Sequence, residues 1–455
     1  MELIHRGNSK VVSVIRKPAW DREDAFCLSC FCILYEEGGV RLLRNNLTGQ
    51  TYLLTEAEYA AVSRMKAGGA GAEYVKANGL EELAVNRCIV GSGFDECAGY
   101  LSALQVMRIL RKPADGYSGY EIFPTTACNA RCTYCFEKGY VPATMTEETA
   151  SAVTDFIDRT RSSGPIRLWW FGGEPLAAAS RIDQICRELE KRKIRFTSHI
   201  TTNASLFEPE TARRAAELWK LTKAVVSLDG DRASYAARKR YIDPRRHNFD
   251  AALRGIRLLN EQGVSVELRC NFDGDNLDGL TGFVDEIHRE FPDAGNIQMR
   301  FAVLHQEYAR GTAPELIRKV RAVEDHAAAL GLIHTEQLSL AGFRTYACIA
   351  DDPDRGVVIE PGGQLQHCDH LSDENRFGNI WEGITDRQRY EELKRQRPVE
   401  EACKRCPFLP ECTPFRKTGC PLRQSDGCRG FVQAMAENVL HRVAADLQAG
   451  KEGNA

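Results

Sequence analysis

From Glu121 to Val303 the chain repeats one pattern: a short apolar strand, a turn, an amphipathic helix, then a strand again. The strand-like segments are EIFPTT, IRLWWF, RFTSHITT, TKAVVSLDG, VSVELRCN and IQMRFAV. Between them lie TEETASAVTDFIDRTRSSG, RIDQICRELEKR, PETARRAAELWKL, FDAALRGIRLLNEQG and LTGFVDEIHREF, read as helices. In the first of these, Val153, Phe156 and Ile157 fall on one face and Gly164 is the expected stop. Six strands alternating with helices imply parallel βαβ units with right-handed crossovers, curled into an open or closed barrel. The C-terminal strand ends of an α/β barrel form its working rim. A cysteine loop, GGEP, TNA and SLDG follow the first four strands in turn.

The first of these loops reads TTACNARCTYCFEKGY, with Cys128, Cys132 and Cys135 separated by three residues and then two. The chain has 17 cysteines, an odd number, and its opening MELIHRGNSK lacks the apolar core of a secretory signal. A cytoplasmic location is therefore expected, and clustered thiols there point to metal or redox chemistry rather than disulfides. No uninterrupted apolar run reaches about 18 residues, so no membrane span is expected. A net charge of -3 without a long basic block gives no reason to expect nucleic acid. Structural zinc wants four ligands, and catalytic zinc keeps three plus water. A [4Fe-4S] cluster takes one thiolate per iron, so three cysteines leave one iron open to a small bidentate ligand.

Cys-x3-Cys-x2-Cys after a first strand, with Tyr134 before the last cysteine, resembles the radical S-adenosylmethionine (SAM) enzymes. The resemblance covers roughly residues 118 to 335. It implies that SAM binds the open iron through its amino and carboxylate groups and is cleaved reductively to a 5′-deoxyadenosyl radical, which abstracts a substrate hydrogen. WWFGGEPL then carries the family's GGEP motif: Gly172 and Gly173 allow close backbone approach to a ligand, and Glu174 offers a carboxylate to the SAM ammonium. Asn203, Ser227 and Asp229 correspond to positions that touch the SAM ribose and carboxylate in relatives. A basic residue often follows the Asp-Gly; Arg238, Lys239 and Arg240 all qualify.

After about residue 340 helical periodicity fades, and cysteine, proline and glycine rise. Cys348-x14-Gly363-x4-Cys368, then Cys403-x2-Cys406-x5-Cys412-x7-Cys420-x7-Cys428, resembles the SPASM extension of radical SAM enzymes. Its third spacing, x7, is four residues longer than usual. The resemblance implies two auxiliary [4Fe-4S] clusters, making three in all: one held by Cys403, Cys406, Cys412 and Cys428, the other by Cys348, Cys368 and Cys420. A pair of structural zincs is the plainer alternative. Asp369 matches an aspartate proposed as a base in sulfatase-maturating relatives; its plain alternative is a solvated or capping carboxylate.

Residues 1–115 read as a separate winged-helix-like α+β domain, with a hairpin at Gly38-Gly39 and a helix capped by Thr55. Residues 116–338 read as a partial (β/α)6 TIM-like barrel. Residues 339–455 read as a cysteine-rich iron–sulfur domain with a C-terminal helix. SPASM-bearing enzymes mostly modify peptides, and an N-terminal domain of this kind can pair a leader peptide with a sheet edge. The expected function is ribosomal-peptide maturation, most of all thioether (sulfur-to-carbon) cross-linking, with a flavodoxin- or ferredoxin-type electron donor. Carbon–carbon cross-linking, sulfatase-type formylglycine formation and a non-catalytic metal-bound scaffold are the alternatives.

Overall fold

The computed structural model describes residues 1–7, 25–110, 114–293, 295–333, 354–394, 399–410 and 428–452. The chain forms two compact units. One comprises Met1–Lys112, Thr335–Ala347 and Gln396–Ala455; the other comprises Pro113–His334 and Cys348–Arg395.

The first unit opens with β1 (Glu2–Arg6), β2 (Phe26–Leu28), β3 (Cys32–Glu37), β4 (Val40–Asn45) and β5 (Gln50–Leu53). Strands β1, β5, β4 and β3 form an antiparallel sheet in that order. The β3–β4 hairpin turns at Gly38 and Gly39, both at positive φ (54° and 77°), as a two-residue turn matched to strand twist requires. Helix α1 (Glu56–Ala67) begins at Thr55, whose side chain forms a reciprocal capping box with Glu58. Then come α2 (Ala72–Ala77), α3 (Glu81–Val85), β6 (Ile89–Gly91), which pairs with β2, and α4 (Glu96–Ile109). Phe26, Tyr52, Val62, Leu83 and Ile89 form the core of this unit.

The second unit realises the alternation. Its elements are β7 (Gly119–Thr125), α5 (Glu147–Thr160), β8 (Ile166–Gly172), α6 (Ala179–Lys191), β9 (Phe196–Thr202), α7 (Pro209–Glu217) and β10 (Leu221–Ser227). They continue with α8 (Arg232–Lys239), α9 (Phe249–Glu261), β11 (Ser265–Phe272), α10 (Leu280–Glu290), β12 (Ile297–Val303), α11 (His305–Arg310) and α12 (Ala313–Ala329). Strands β7 to β12 lie side by side in sequence order, all parallel. Helix α5 does not run to Gly164. It ends at Thr160, because the Ser162 N–H donates to Tyr117 O and Arg161 bridges Tyr117, drawing the chain off as an extended segment.

The stretch read as cysteine-rich loops contains four further strands: β13 (Gly356–Ile359), β14 (Gln364–Gln366), β15 (Gly378–Asn379) and β16 (Gly383–Ile384). β13 pairs parallel with β7, and the other three follow antiparallel, giving a mixed sheet of ten strands. Helix α13 (Arg387–Lys394) closes the unit. Along the six parallel strands the side chains alternate. Ile122, Trp170, Ile200, Ala224, Val266 and Ile297 are buried in the main core. The opposite face carries Arg167, Trp169, His199, Lys223, Glu267, Arg269 and Arg300, all half-buried or exposed.

The last helix, α14 (Cys428–Glu452), belongs to the first unit. Its Leu440 and Ala444 pack on Val40 and Leu42, His441 pairs with Glu37 at 2.5 Å, and Gln448 donates to Gly38 O at 2.9 Å. Among the described residues no helix is long and apolar enough to cross a membrane.

Candidate active site

Because the six strands run parallel in order, Thr125, Gly172, Thr202, Ser227 and Phe272 end along one edge of the sheet. The loops that leave this edge hold the residues singled out by the sequence. The cysteine loop is laced to the segment after α8: Arg131 N–H donates to Arg240 O at 2.9 Å, Thr133 N–H to Arg238 O at 2.9 Å, and Ile242 N–H to Asn129 O at 2.9 Å. Within it Cys128, Cys132 and Cys135 are all free and half-buried. Ala130 N–H points at Cys128 Sγ at 3.4 Å.

Gly172 and Gly173 are required by the chain's own backbone. A Cβ at Gly172 (φ 120°) would lie 2.2 Å from Thr125 O, and one at Gly173 2.5 Å from both Thr126 O and Ala127 O. The close approach that sequence reading assigned to a ligand is therefore made to the start of the cysteine loop. The same contact delivers Glu174, which is fully buried. Its Oε1 accepts from Leu176 N–H (3.1 Å) and the Thr202 hydroxyl (2.7 Å), and its Oε2 from Asn203 N–H (2.8 Å). A carboxylate has about four acceptor directions, so one on Oε2 stays open. Burial raises the Glu174 carboxyl despite those hydrogen bonds.

Asn203 links two strand ends to the loop: its Nδ2 donates to Asn129 Oδ1 at 2.8 Å, and its Oδ1 accepts from Ser205 N–H at 3.0 Å. Asp229 is fully buried and fully engaged. Its Oδ1 accepts from the backbone N–H (2.9 Å) and Nδ2 (2.8 Å) of Asn271. Its Oδ2 accepts from the Tyr134 hydroxyl, in a short contact, and from Lys239 Nζ at 3.3 Å. Lys239 also donates to Ser227 Oγ (2.6 Å) and Tyr134 Oη (3.1 Å). Burial works against its charge, yet Asp229, Tyr134 and Cys132 hold its pKa well above the usual lysine range.

Of the basic residues after the Asp-Gly, Lys239 is the one that meets Asp229, while Arg238 lies over the Tyr134 ring at 5.5 Å. Arg238 pairs with both oxygens of Asp273 (3.0 and 3.1 Å), and Arg240 caps α8 in the left-handed region, exposed. Sequence reasoning missed Asn271 and Asn276; the latter donates to Asp229 O at 3.1 Å. Their signal was present in RCNFDGDN, polar residues packed into a strand end.

Asp369 lies near the same loop. Phe136 meets His370 at 4.6 Å between ring centroids, and Asp369 adds to the burial that raises the carboxyls of Glu121 and Glu137. Glu137 is pushed up to about 7, burial being the first cause, and its Oε1 is enclosed without a hydrogen-bond partner. Gly363, at φ 82°, turns the β13–β14 hairpin and so sets Cys368 beside Asp369, with His370 N–H donating to Cys368 Sγ at 3.5 Å. In the other unit, Cys403 packs with Cys97, Cys30 and Cys406 in one apolar cluster. Cys348, Cys412 and Cys420 lie outside the described residues, and of Cys428 only its place at the start of α14 is described.

Among the described residues no three His, Cys, Asp or Glu side chains gather as a site for one metal ion. The donor set of the cysteine loop instead fits a multi-iron group: three soft thiols on one loop, backbone N–H directed at sulfur, and an open carboxylate direction beside them. Without iron, burial pushes the Cys128 thiol up to about 12 and raises Cys132 and Cys135. Bound iron would draw those protons off.

Residues 122–290 match the family model described as Radical SAM superfamily. Over 372 residues the chain is 24% identical to an Fe-coproporphyrin III synthase of Methanosarcina barkeri, covering 71% of this chain and 84% of that protein. The fold is shared with anSMEcpe solved with bound AdoMet (TM-score 0.55, 16% identity, 73% of this chain and 99% of that one). It is also shared with Streptococcus suis SuiB bound to its precursor peptide SuiA (TM-score 0.52, 18% identity, 87% and 99%). Residues 122–290 thus carry the sequence match of radical SAM enzymes on a fold shared with two of them, which supports SAM-dependent catalysis at this rim.

Proposed function

We propose that this enzyme matures a ribosomally made precursor peptide, forming thioether cross-links. The carrying observation is the convergence of Cys128, Cys132, Cys135, Glu174 and Asn203 at the C-terminal edge of one parallel sheet. The three cysteines would hold a [4Fe-4S] cluster, with SAM on the open iron; together they supply a 5′-deoxyadenosyl radical that takes a hydrogen atom from the substrate. The free acceptor direction of Glu174, with Gly172 and Gly173 beside it, receives the SAM ammonium. Asn203 and Ser227 face the ribose and carboxylate. Asp229, with no open direction of its own, orients Lys239 and Tyr134 around them. Asp369 would take the proton that the cysteine thiol loses as its sulfur bonds to that carbon, and an auxiliary iron–sulfur cluster would take the electron released in the same step.

The SPASM-like cysteines would hold two auxiliary clusters: Cys403, Cys406, Cys412 and Cys428 in one, Cys348, Cys368 and Cys420 in the other. Residues 1–115 would recognise a leader peptide along β3, one of the two outer strands of its sheet. A flavodoxin- or ferredoxin-type protein delivers the electron. Likeness to SuiB supports a peptide substrate through the fold alone. A second reading, a carboxylated tetrapyrrole substrate, is favoured by the synthase relative. Anaerobic incubation with SAM, a reductant and a cysteine-bearing peptide encoded beside this gene tests the choice. The peptide should lose two hydrogen atoms per link and one free thiol. Coproporphyrin consumed in its place would reject peptide maturation.

A further inference from the structure

The face of the parallel sheet opposite the helices has an unusual charge balance. Arg167, Lys223, Arg269 and Arg300 lie on it, against Glu267 and Glu121. Burial raises the Glu121 carboxyl toward its neutral acid. Glu267 already serves two cations: Lys223 Nζ at 2.6 Å and Arg300 Nε at 2.7 Å. Arg269 has no carboxylate of its own. It sits in register between Ser227 and Arg300 on β11, next to the edge strand β12. Its Nε is enclosed without an acceptor, with Arg300 and Glu267 as the strongest charges acting on it, and its register with Ser227 sets it toward the C-terminal edge of the sheet. An enclosed guanidinium N–H without an acceptor costs stability unless a ligand completes it.

Cations in excess, one of them with an enclosed N–H that has no acceptor, complement a carboxylate. We infer that Arg269 is a specificity residue that receives the side-chain carboxylate of an aspartate or glutamate in the substrate peptide. This rests on the peptide reading above and names which peptides fit. A planar guanidinium meets a carboxylate through two parallel N–H bonds, which a lysine or a neutral amide cannot reproduce.

The test measures binding alone, so it does not depend on radical chemistry. The full-length protein is titrated, without SAM, with matched glycine–serine peptides that differ only in one glutamate or glutamine. A parallel titration uses coproporphyrin III, which also carries carboxylates. The glutamyl peptide should bind roughly 10- to 100-fold more tightly, the value of a charge-assisted hydrogen-bond pair. Arg269→Gln should erase the preference, and Arg269→Lys should keep part of it, which separates lost recognition from lost folding. SAM affinity is the control. Equal binding of both peptides overturns the inference. So does a loss of SAM affinity in Arg269→Gln with the peptide preference intact, since the carboxylate would then be the cofactor's. Arg269-dependent binding of coproporphyrin III without a glutamyl preference also overturns it. Failure of the wild-type protein to cleave SAM would instead count against the radical reading and leave this measurement standing.

Discussion

Lys239 shows how one side chain orders a rim. It is buried, yet Ser227, Tyr134 and Asp229 take all three of its donor positions. Lys239→Met leaves the Asp229 charge enclosed without its partner, and breaking such a pair costs about 3–5 kcal/mol. The melting temperature should fall accordingly, and Asp229→Asn added to Lys239→Met should restore much of the loss in calorimetry. Titration gives a second prediction. Glu121, Glu137 and Glu174 all have carboxyls raised by burial, Glu137 to about 7. Between their ordinary pKa and the raised value the folded state binds more protons than the unfolded one, so stability falls as pH rises through that window. Metal-free protein should therefore unfold at a lower temperature at about pH 8 than at about pH 5.5. Glu137→Gln should flatten part of that slope, by on the order of 2 kcal/mol. The thiol spacing and the glycine pair were legible in the sequence because both are local. The choice of Lys239 over Arg238 and Arg240 was not, because it depends on which of three neighbours the fold buries.

At the scale of elements, the six strands and their helices were readable because the periods of two and 3.6 are carried by contiguous residues. Strands β13 to β16 were not. Each has two to four residues, too few for a period, and β13 is fixed by pairing with β7 more than two hundred positions earlier. Gly164 failed as a helix stop because a tertiary pairing with Tyr117 ends α5 first. A sharper dependence lies where α9 crosses the turn after β9. A Cβ at Gly255 would stand 2.2 Å from Ala204 O, and Ala204 itself has φ 61°. Gly255→Ala must push helix and turn apart, at a cost of roughly 1–3 kcal/mol. Because Asn203 adjoins that turn, SAM affinity measured by equilibrium dialysis should fall with it. Unchanged stability and affinity would mean that the turn does not position the rim.

At the scale of the whole chain, the two compact units are discontinuous in sequence. The first joins the N-terminal sheet to α14, which packs on β3 and β4 through Leu440 and Ala444. A deletion of residues 1–112 alone would strip the apolar face from that helix, so loss of activity in such a truncation would not isolate leader recognition. Glu36→Pro, which removes a backbone donor of β3 that points away from β4, is the narrower change. It should weaken binding of a leader-bearing peptide in fluorescence polarisation while SAM cleavage without peptide persists.

The central claim is that Cys128, Cys132 and Cys135 leave one iron open for SAM. The most direct measurement is 5′-deoxyadenosine released by anaerobically reconstituted, dithionite-reduced protein, compared between wild type and a variant with all three cysteines changed to alanine. The wild type should release it, and the variant should release none while retaining the iron bound elsewhere. Equal release by both proteins, or none from an iron-loaded wild type, would contradict the account.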